Sequence, residues 1–423
     1  MALVQAFRDT LLAAPDRMIG AQPEFTESLV NSLDCSTTCY LASDPRPAIL
    51  DPRNVMTKDR NPSRTDLNGI CPYFTMFPLV FPLEAIRRRQ AHRGWVLDPF
   101  CGRGTTNFAA RLCGVSSIGL DSNPLATAIA KAKAAVTSAE AVISATERIL
   151  RRAREPRSIP QGSFWRLAFH QTTLRQLCVI REALRRSCRS QARIVLRAVV
   201  LGALHGPFSK RGTSYFSNRS PRTFAPKPRY AVRFWRANGL LPPRVDILNV
   251  IRNRVTRYLE PVYPNARTLI FTGDSRNHAL FRDFPRVATI VTSPPYYGMK
   301  TYVADQWLRN WFLGGPPYVP YAHPSTQLSH SGPEAFANDL RTVWRNVALV
   351  AIDDARLVCR FGGINDRSVD PRELIKTSLS NSGWRITTIR SAGTSSDGRR
   401  QARQFALRTS VPKEELDLYA IRD

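Results

Sequence analysis

Two short apolar runs, each closed by a carboxylate and followed by a turn and a helical pattern, constrain this chain more than any other feature. Gly94 to Asp98 (GWVLD) runs into the glycine-bearing turn Pro99 to Thr105, and Thr106 to Cys113 has helical spacing. Ser117 to Asp121 repeats the arrangement and leads into the alanine-rich stretch Pro124 to Ala135. Unbroken apolar runs alternating with helices are how strands buried on both faces of a parallel sheet read. Further strands are expected at Thr268–Thr272, Ala288–Thr292, Ala355–Phe361, Trp384–Ser391 and near Leu416–Ile421, with helices at Pro333–Val350 and Arg372–Asn381. The expected fold class is α/β, a seven-stranded, mostly parallel sheet covered on both faces. Ligands of such sheets bind beyond the carboxyl ends of the strands, which singles out two turns.

The first turn is Asp98-Pro-Phe-Cys-Gly-Arg-Gly-Thr-Thr106. Gly102 and Gly104 let the backbone approach a ligand closely, and Asp121, at the end of the next strand, can accept hydrogen bonds from both hydroxyls of a ribose. A nucleoside cofactor suits this pair. The dinucleotide fingerprint G-x-G-x-x-G is not met, because Asn107 or Phe108 stands where the third glycine would come, and no G-x-x-x-x-G-K-[ST] phosphate loop occurs. The second turn, Ile290-Val-Thr-Ser-Pro-Pro-Tyr-Tyr-Gly298, ends its strand on two prolines, each fixing φ near −65°, so it is rigid. Rigid acceptors suit an exocyclic amino group, whose lone pair is delocalised into its ring until acceptors aimed at its hydrogens localise it.

Charge divides the chain. The whole sequence carries a net +28, and Val136 to Ala266 holds 25 Lys and Arg against 6 Asp and Glu, a net of +19. Within it, Ala139–Arg154 and Thr172–Leu204 show helical spacing between arginines, and Ser209–Trp235 is rich in proline and is expected to be a loop. That loop interleaves Lys210, Arg211, Arg219, Arg222, Lys227, Arg229 and Arg233 with aromatics such as Tyr215. Guanidinium groups contact phosphates and guanine edges while rings stack on exposed bases, so these residues are the candidate nucleic-acid-binding set.

The string DPFCGRGTT followed by GLDSNP resembles the S-adenosylmethionine-binding motif of amino-directed DNA methyltransferases, and TSPPY resembles their (D/N/S)PP(Y/F/W) catalytic motif. The resemblance implies a Rossmann-like methyltransferase sheet with S-adenosylmethionine as cofactor. It implies that Asp98, Pro99, Phe100, Gly102, Gly104 and Thr105 wrap the methionine part, and that Asp121 with Ser122 holds the ribose. Tyr73, Phe74 and Thr75, in a segment like the one that closes over the methionine end, join that set, and Asp274 is expected near the adenine amino group. In the catalytic motif Ser293 and the Pro294 carbonyl accept from the target amino group, Pro295 belongs to the rigid turn, and Tyr296 stacks on the base. The serine form is associated with N4 of cytosine, so the implied activity is cytosine-N4 methylation of double-stranded DNA, in a restriction-modification or defence setting with a cognate endonuclease or defence protein as a further partner. The cofactor motif precedes the catalytic motif, whereas many N4-cytosine enzymes have the reverse order, so adenine N6 stays open. Also open are an RNA guanine-N2 methyltransferase and a non-enzymatic nucleic-acid binder on the same scaffold. Cytosine C5 chemistry is disfavoured because it needs a cysteine nucleophile, normally after proline, and no Pro-Cys pair occurs.

The expected organisation is an unassigned segment 1–66, a cofactor-binding half 67–135, a basic helical insertion 136–266 acting as target-recognition domain, and a catalytic half 267–423. No stretch is apolar enough to span a membrane and no signal or transit peptide is apparent, so the expected location is cytoplasmic. The eight cysteines follow no framework spacing and read as reduced thiols. Cys35 and Cys39 lack a matching pair, and no metal is expected.

Overall fold

A computed structural model of the chain describes residues 65–73, 77–87, 94–152, 155–206, 214–219, 227–298, 304–320, 326–363, 369–394 and 414–423. The chain divides into two units, Met1–Ala48 and Ile49–Asp423, and the described residues all lie in the second. Its strands are β1 (Trp95–Asp98), β2 (Ser117–Asp121), β3 (Thr268–Thr272), β4 (Val287–Thr292), β5 (Ala351–Gly362), β6 (Trp384–Thr394) and β7 (Glu414–Arg422). They form one sheet in the order β3-β2-β1-β4-β5-β7-β6. Every pairing from β3 through β5 is parallel, and β7 runs antiparallel to β5 and β6. Leu97 of β1 pairs with Ile118 of β2 and Ile290 of β4, which brings the ends of three central strands to one edge.

Alternation along β1 divides two cores. Val96 joins the core that includes Phe108, Leu125 and Ile129, and Leu97 joins the opposite one with Ile118, Trp344 and Leu374. The helices on these faces are α1 (Val80–Arg87), α2 (Thr105–Leu112), α3 (Pro124–Ala134), α4 (Ala139–Arg151), α5 (Ser163–Ala168), α6 (Gln171–Arg186), α7 (Gln191–Ala203), α8 (Pro228–Ala237), α9 (Ile247–Leu259), α10 (Trp307–Leu313), α11 (Pro333–Val350) and α12 (Pro371–Leu379). Helix α3 starts sharply because Asn123 accepts from the Leu125 N–H and Pro124 supplies a pre-set φ at the first position. The basic segment does not stand apart: Val142, Leu177, Val199 and Ile251 are buried in the same core as Val96 and Phe108.

Two expectations change. From Pro228 the presumed loop is helix α8, because Ala231 and Trp235, one turn apart, bury together and Pro228 nucleates the first turn. Lys210, Arg211 and Arg222 lie outside the described residues. Strand β5 begins at Ala351, ahead of the expected Ala355, and the backbone turns at Asp354 (φ 61°) inside a register shift against β4. The charged pair Asp353–Asp354 hides that extension from a hydrophobicity pattern. Among the described residues no helix is long and apolar enough to cross a membrane, and no His, Cys, Asp or Glu cluster could hold a metal.

Candidate active site

Strand order reverses between β1 and β4, where α/β sheets open a ligand crevice. Asp98, fully buried at the end of β1, forms one wall. Its Oδ1 accepts from the Phe100 N–H at 3.1 Å and from the Thr292 hydroxyl at 2.6 Å, while Oδ2 is buried with no partner among the described residues. Burial pushes the carboxyl up to about 6, against the hydrogen bonds from Thr292 and Phe100 that hold it down. A buried, unpartnered carboxylate oxygen is costly unless a cation or N–H donor arrives to meet it.

The loop after Asp98 turns through Gly102 (φ 51°) and Gly104 (φ 74°), both in the left-handed region. Gly104 also has no room for a side chain: a Cβ there would lie 2.8 Å from the Ala130 Cβ, where α2 packs on α3. Pro99 gives its carbonyl to the Ser275 hydroxyl, and Phe100 meets Trp344 edge-on. Thr105 is buried at the first turn of α2, whose start has no side-chain cap. Beside it, Asp121 accepts from the Gly102 N–H at Oδ2 (2.9 Å) and from the Asn123 N–H at Oδ1 (2.8 Å). Burial raises its carboxyl, and these two bonds oppose the rise. Each oxygen keeps a further lone pair, so the carboxylate can still take the two hydroxyls of a ribose. Ser122 is half-buried beside it.

Tyr73 is brought to this turn by a direct bond, its hydroxyl accepting from Asn123 Nδ2 at 2.9 Å. Burial raises the Tyr73 phenol strongly, with the neighbouring Asp121 adding to it. Phe74 and Thr75 lie outside the described residues. The strap leading to Tyr73 is held by buried cations that sequence reasoning missed: Arg103 donates to the Cys71 carbonyl (3.3 Å), Arg309 to the Pro72 carbonyl (2.7 Å) and Lys133 to Asn68 (2.8 Å). Asp274 behaves differently from expectation. The Gly273 N–H bonds the Asp121 carbonyl at 3.0 Å, which sets the two turns side by side, but the Asp274 carboxylate is gripped by Arg276 at 2.6 Å. Arg276 also reaches Asp339 at 2.8 Å, so it is a shared counter-ion that takes up acceptor capacity expected to face an adenine.

The TSPPY turn leaves β4, buried along its whole length. Ser293 is half-buried and its hydroxyl has no hydrogen-bond partner among the described residues; Pro294 is buried and Pro295 half-buried. Tyr296 is 8% exposed, its ring edge-on to Phe361 and its hydroxyl donating to Glu415 Oε1 at 2.7 Å. It is thus a packed wall of the turn, where an open stacking platform was expected. The Gly298 N–H donates to His330 Nδ1 at 3.0 Å and closes the turn at φ 82°. Two contacts join this turn to the cofactor loop: the Thr292–Asp98 bond and the Thr106 hydroxyl on the Val291 carbonyl at 3.1 Å.

Five of the candidate DNA-binding residues, Tyr215, Arg219, Lys227, Arg229 and Arg233, are among the described residues. Tyr215 lies under the Arg254 guanidinium at 4.7 Å, and the Arg219 carbonyl accepts from the Trp235 indole at 2.6 Å. Lys227, Arg229 and Arg233 are exposed at the start of α8 and along it.

A sequence model of the family described as DNA methylase matches residues 43–132. No curated protein matches the sequence. Among solved structures the chain is similar to TrmN from Thermus thermophilus, at 12% identity and TM-score 0.31, covering 82% of this chain and 49% of that one. It therefore spans about half the length of TrmN. It is similar to the rRNA methyltransferase aviRa from Streptomyces viridochromogenes, at 12% identity and TM-score 0.32, covering 84% and 92%. A third is magnesium protoporphyrin IX methyltransferase (ChlM) from Synechocystis PCC 6803 with bound SAM, at 9% identity and TM-score 0.30, covering 85% and 79%. The residues present fit S-adenosylmethionine: Asp98 Oδ2 lacks a donor among the described residues, Asp121 has acceptors to spare, and two left-handed glycines open the loop. That fit and the family match together support S-adenosylmethionine as the cofactor.

Proposed function

We propose that the protein transfers a methyl group to an exocyclic amino nitrogen in double-stranded DNA, with N4 of cytosine as the target, as the modification component of a restriction or defence system. The observation that carries this is the 2.6 Å bond from Thr292 to Asp98, because it ties the TSPPY turn to the cofactor loop. When bound, S-adenosylmethionine supplies a methyl on a sulfonium. Asp98 and Asp121 would hold its ammonium and ribose. The Ser293 hydroxyl and the Pro294 carbonyl accept the two amino hydrogens of the base and so localise the nitrogen lone pair for attack. The bound cofactor would supply the methyl with its thioether as the leaving group, and the amino hydrogen held at the Ser293 hydroxyl would pass as a proton to water. Tyr296, braced by Glu415 and Phe361, forms the side of the base pocket.

The motif order, with cofactor turn ahead of catalytic turn, favours adenine N6 as the second reading. Expression in a methylation-free host, followed by nucleoside mass spectrometry of genomic DNA and total RNA, separates these targets. N4-methylcytosine in DNA is the expected product. N6-methyladenine moves the assignment to the second reading, and methylation confined to RNA overturns the DNA assignment.

A further inference from the structure

We infer that α8 is a phosphate-docking helix whose arginine face lies along the backbone of duplex DNA. The inference rests on the DNA reading above and names the surface that reading needs. In α8, Arg229, Arg233 and Arg236 are spaced i, i+4 and i+7, which puts them on one face of a helix. The opposite face is buried: Ala231 is 0% and Trp235 2% exposed. The three arginines are exposed, and none of them is in an ion pair among the described residues. At 1.5 Å rise per residue the stripe spans about 10 Å, within reach of two or three successive phosphates of a strand whose charges recur every ~3.4 Å along the axis.

The surroundings reinforce the charge. From Ala183 to Val245 the sequence has 14 Lys and Arg and no Asp or Glu, so no carboxylate neighbouring in sequence competes for the stripe. The helix is also rigidly mounted. Trp235 packs on Phe164 (5.5 Å between ring centres), Phe164 on Trp307 (4.8 Å), and Trp165 on Trp311 (4.6 Å). Trp307 and Trp311 belong to α10, the first α-helix after the catalytic turn, so a duplex held by α8 is held in a fixed relation to that segment. An anionic membrane is a poor occupant, because an interfacial helix must insert its apolar face and that of α8 is already buried.

The test is fluorescence-anisotropy titration of a labelled duplex from 50 to 300 mM salt, using wild type, R229Q/R233Q/R236Q and R229K/R233K/R236K. Loss of three phosphate contacts should lower the magnitude of the salt slope by about 2.7 and weaken binding about 100-fold at 0.15 M salt, equally for unrelated sequences. The lysine variant should restore the slope, and circular dichroism should show an unchanged melting temperature for all three. If wild type binds the duplex with a steep slope and the glutamine variant keeps it, the docking helix is refuted while the DNA reading stands. If wild type shows no salt-dependent duplex binding, the DNA reading itself falls and the inference with it.

Discussion

Thr292→Val tests the link between the two turns. Valine keeps the volume but removes the hydroxyl that donates to Asp98 Oδ1 at 2.6 Å, leaving that oxygen the Phe100 N–H alone as its short-range donor. A hydrogen bond to a charged group contributes about 1.5 kcal/mol at the low end, which at 1.36 kcal/mol per pKa unit moves the carboxyl up by about one unit. In wild type burial pushes the carboxyl up to about 6, so it is mostly ionised at neutral pH, as its proposed contact with the cofactor ammonium requires. In the variant the same carboxyl titrates near ~7. Calorimetric titration of S-adenosylmethionine between pH 5 and 7.5 should then show affinity weaker by about fivefold at pH 6, closing to less than twofold at pH 7.5. The same shift has a stability signature. A carboxyl whose folded pKa lies above its unfolded value of 3.8 makes a favourable contribution that is complete below about pH 4 and lost as pH rises through 6, about 3 kcal/mol in all. In the variant that loss extends about one unit higher in pH and grows accordingly. Superimposable affinity profiles for variant and wild type would refute the coupling of Thr292 to Asp98.

Asp98→Asn should remove the pH dependence of cofactor binding between pH 5 and 7.5 and weaken it about 10–100-fold at neutral pH, measured by the same calorimetry. Tyr296→Phe strips Glu415 Oε1 of the 2.7 Å bond and should cost about 1–3 kcal/mol in denaturant unfolding, whereas Glu415→Gln, which keeps an acceptor, should cost less. Gly104→Ala combines a left-handed φ of 74° with a Cβ contact of 2.8 Å to Ala130. It should lower stability by about 1–2 kcal/mol for the backbone conformation alone and cut cofactor affinity, read from thermal melts with and without S-adenosylmethionine.

The central strands and both turns were legible because each rests on local chemistry: an apolar run closed by Asp98 or Asp121, and a proline pair that ends β4. Strand β3 falls where its pattern put it, at Thr268–Thr272, and α11 at Pro333–Val350. What stayed hidden depends on partners far along the chain. Glu415 meets Tyr296 across 119 residues, and nothing near either marks the pair. Arg103, Lys133 and Arg309 look like surface charges in sequence, yet they are buried and hold the strap to Tyr73. Arg276 is different: it lies two residues from Asp274, a spacing at which the pairing of the two charges is legible in the sequence. In α8 the proline-rich surroundings masked a four-residue spacing, Ala231 to Trp235, that marks a buried helical seam.

The most direct measurement supplies the purified protein with [methyl-13C]-S-adenosylmethionine and duplex DNA, then digests the DNA and locates the label by nucleoside mass spectrometry, beside Ser293→Ala. The predicted result is label on cytosine N4 from wild type, and cofactor binding without transfer from the variant. Label on a ring carbon, or equal transfer by Ser293→Ala, would contradict the assignment of this turn to amino methylation.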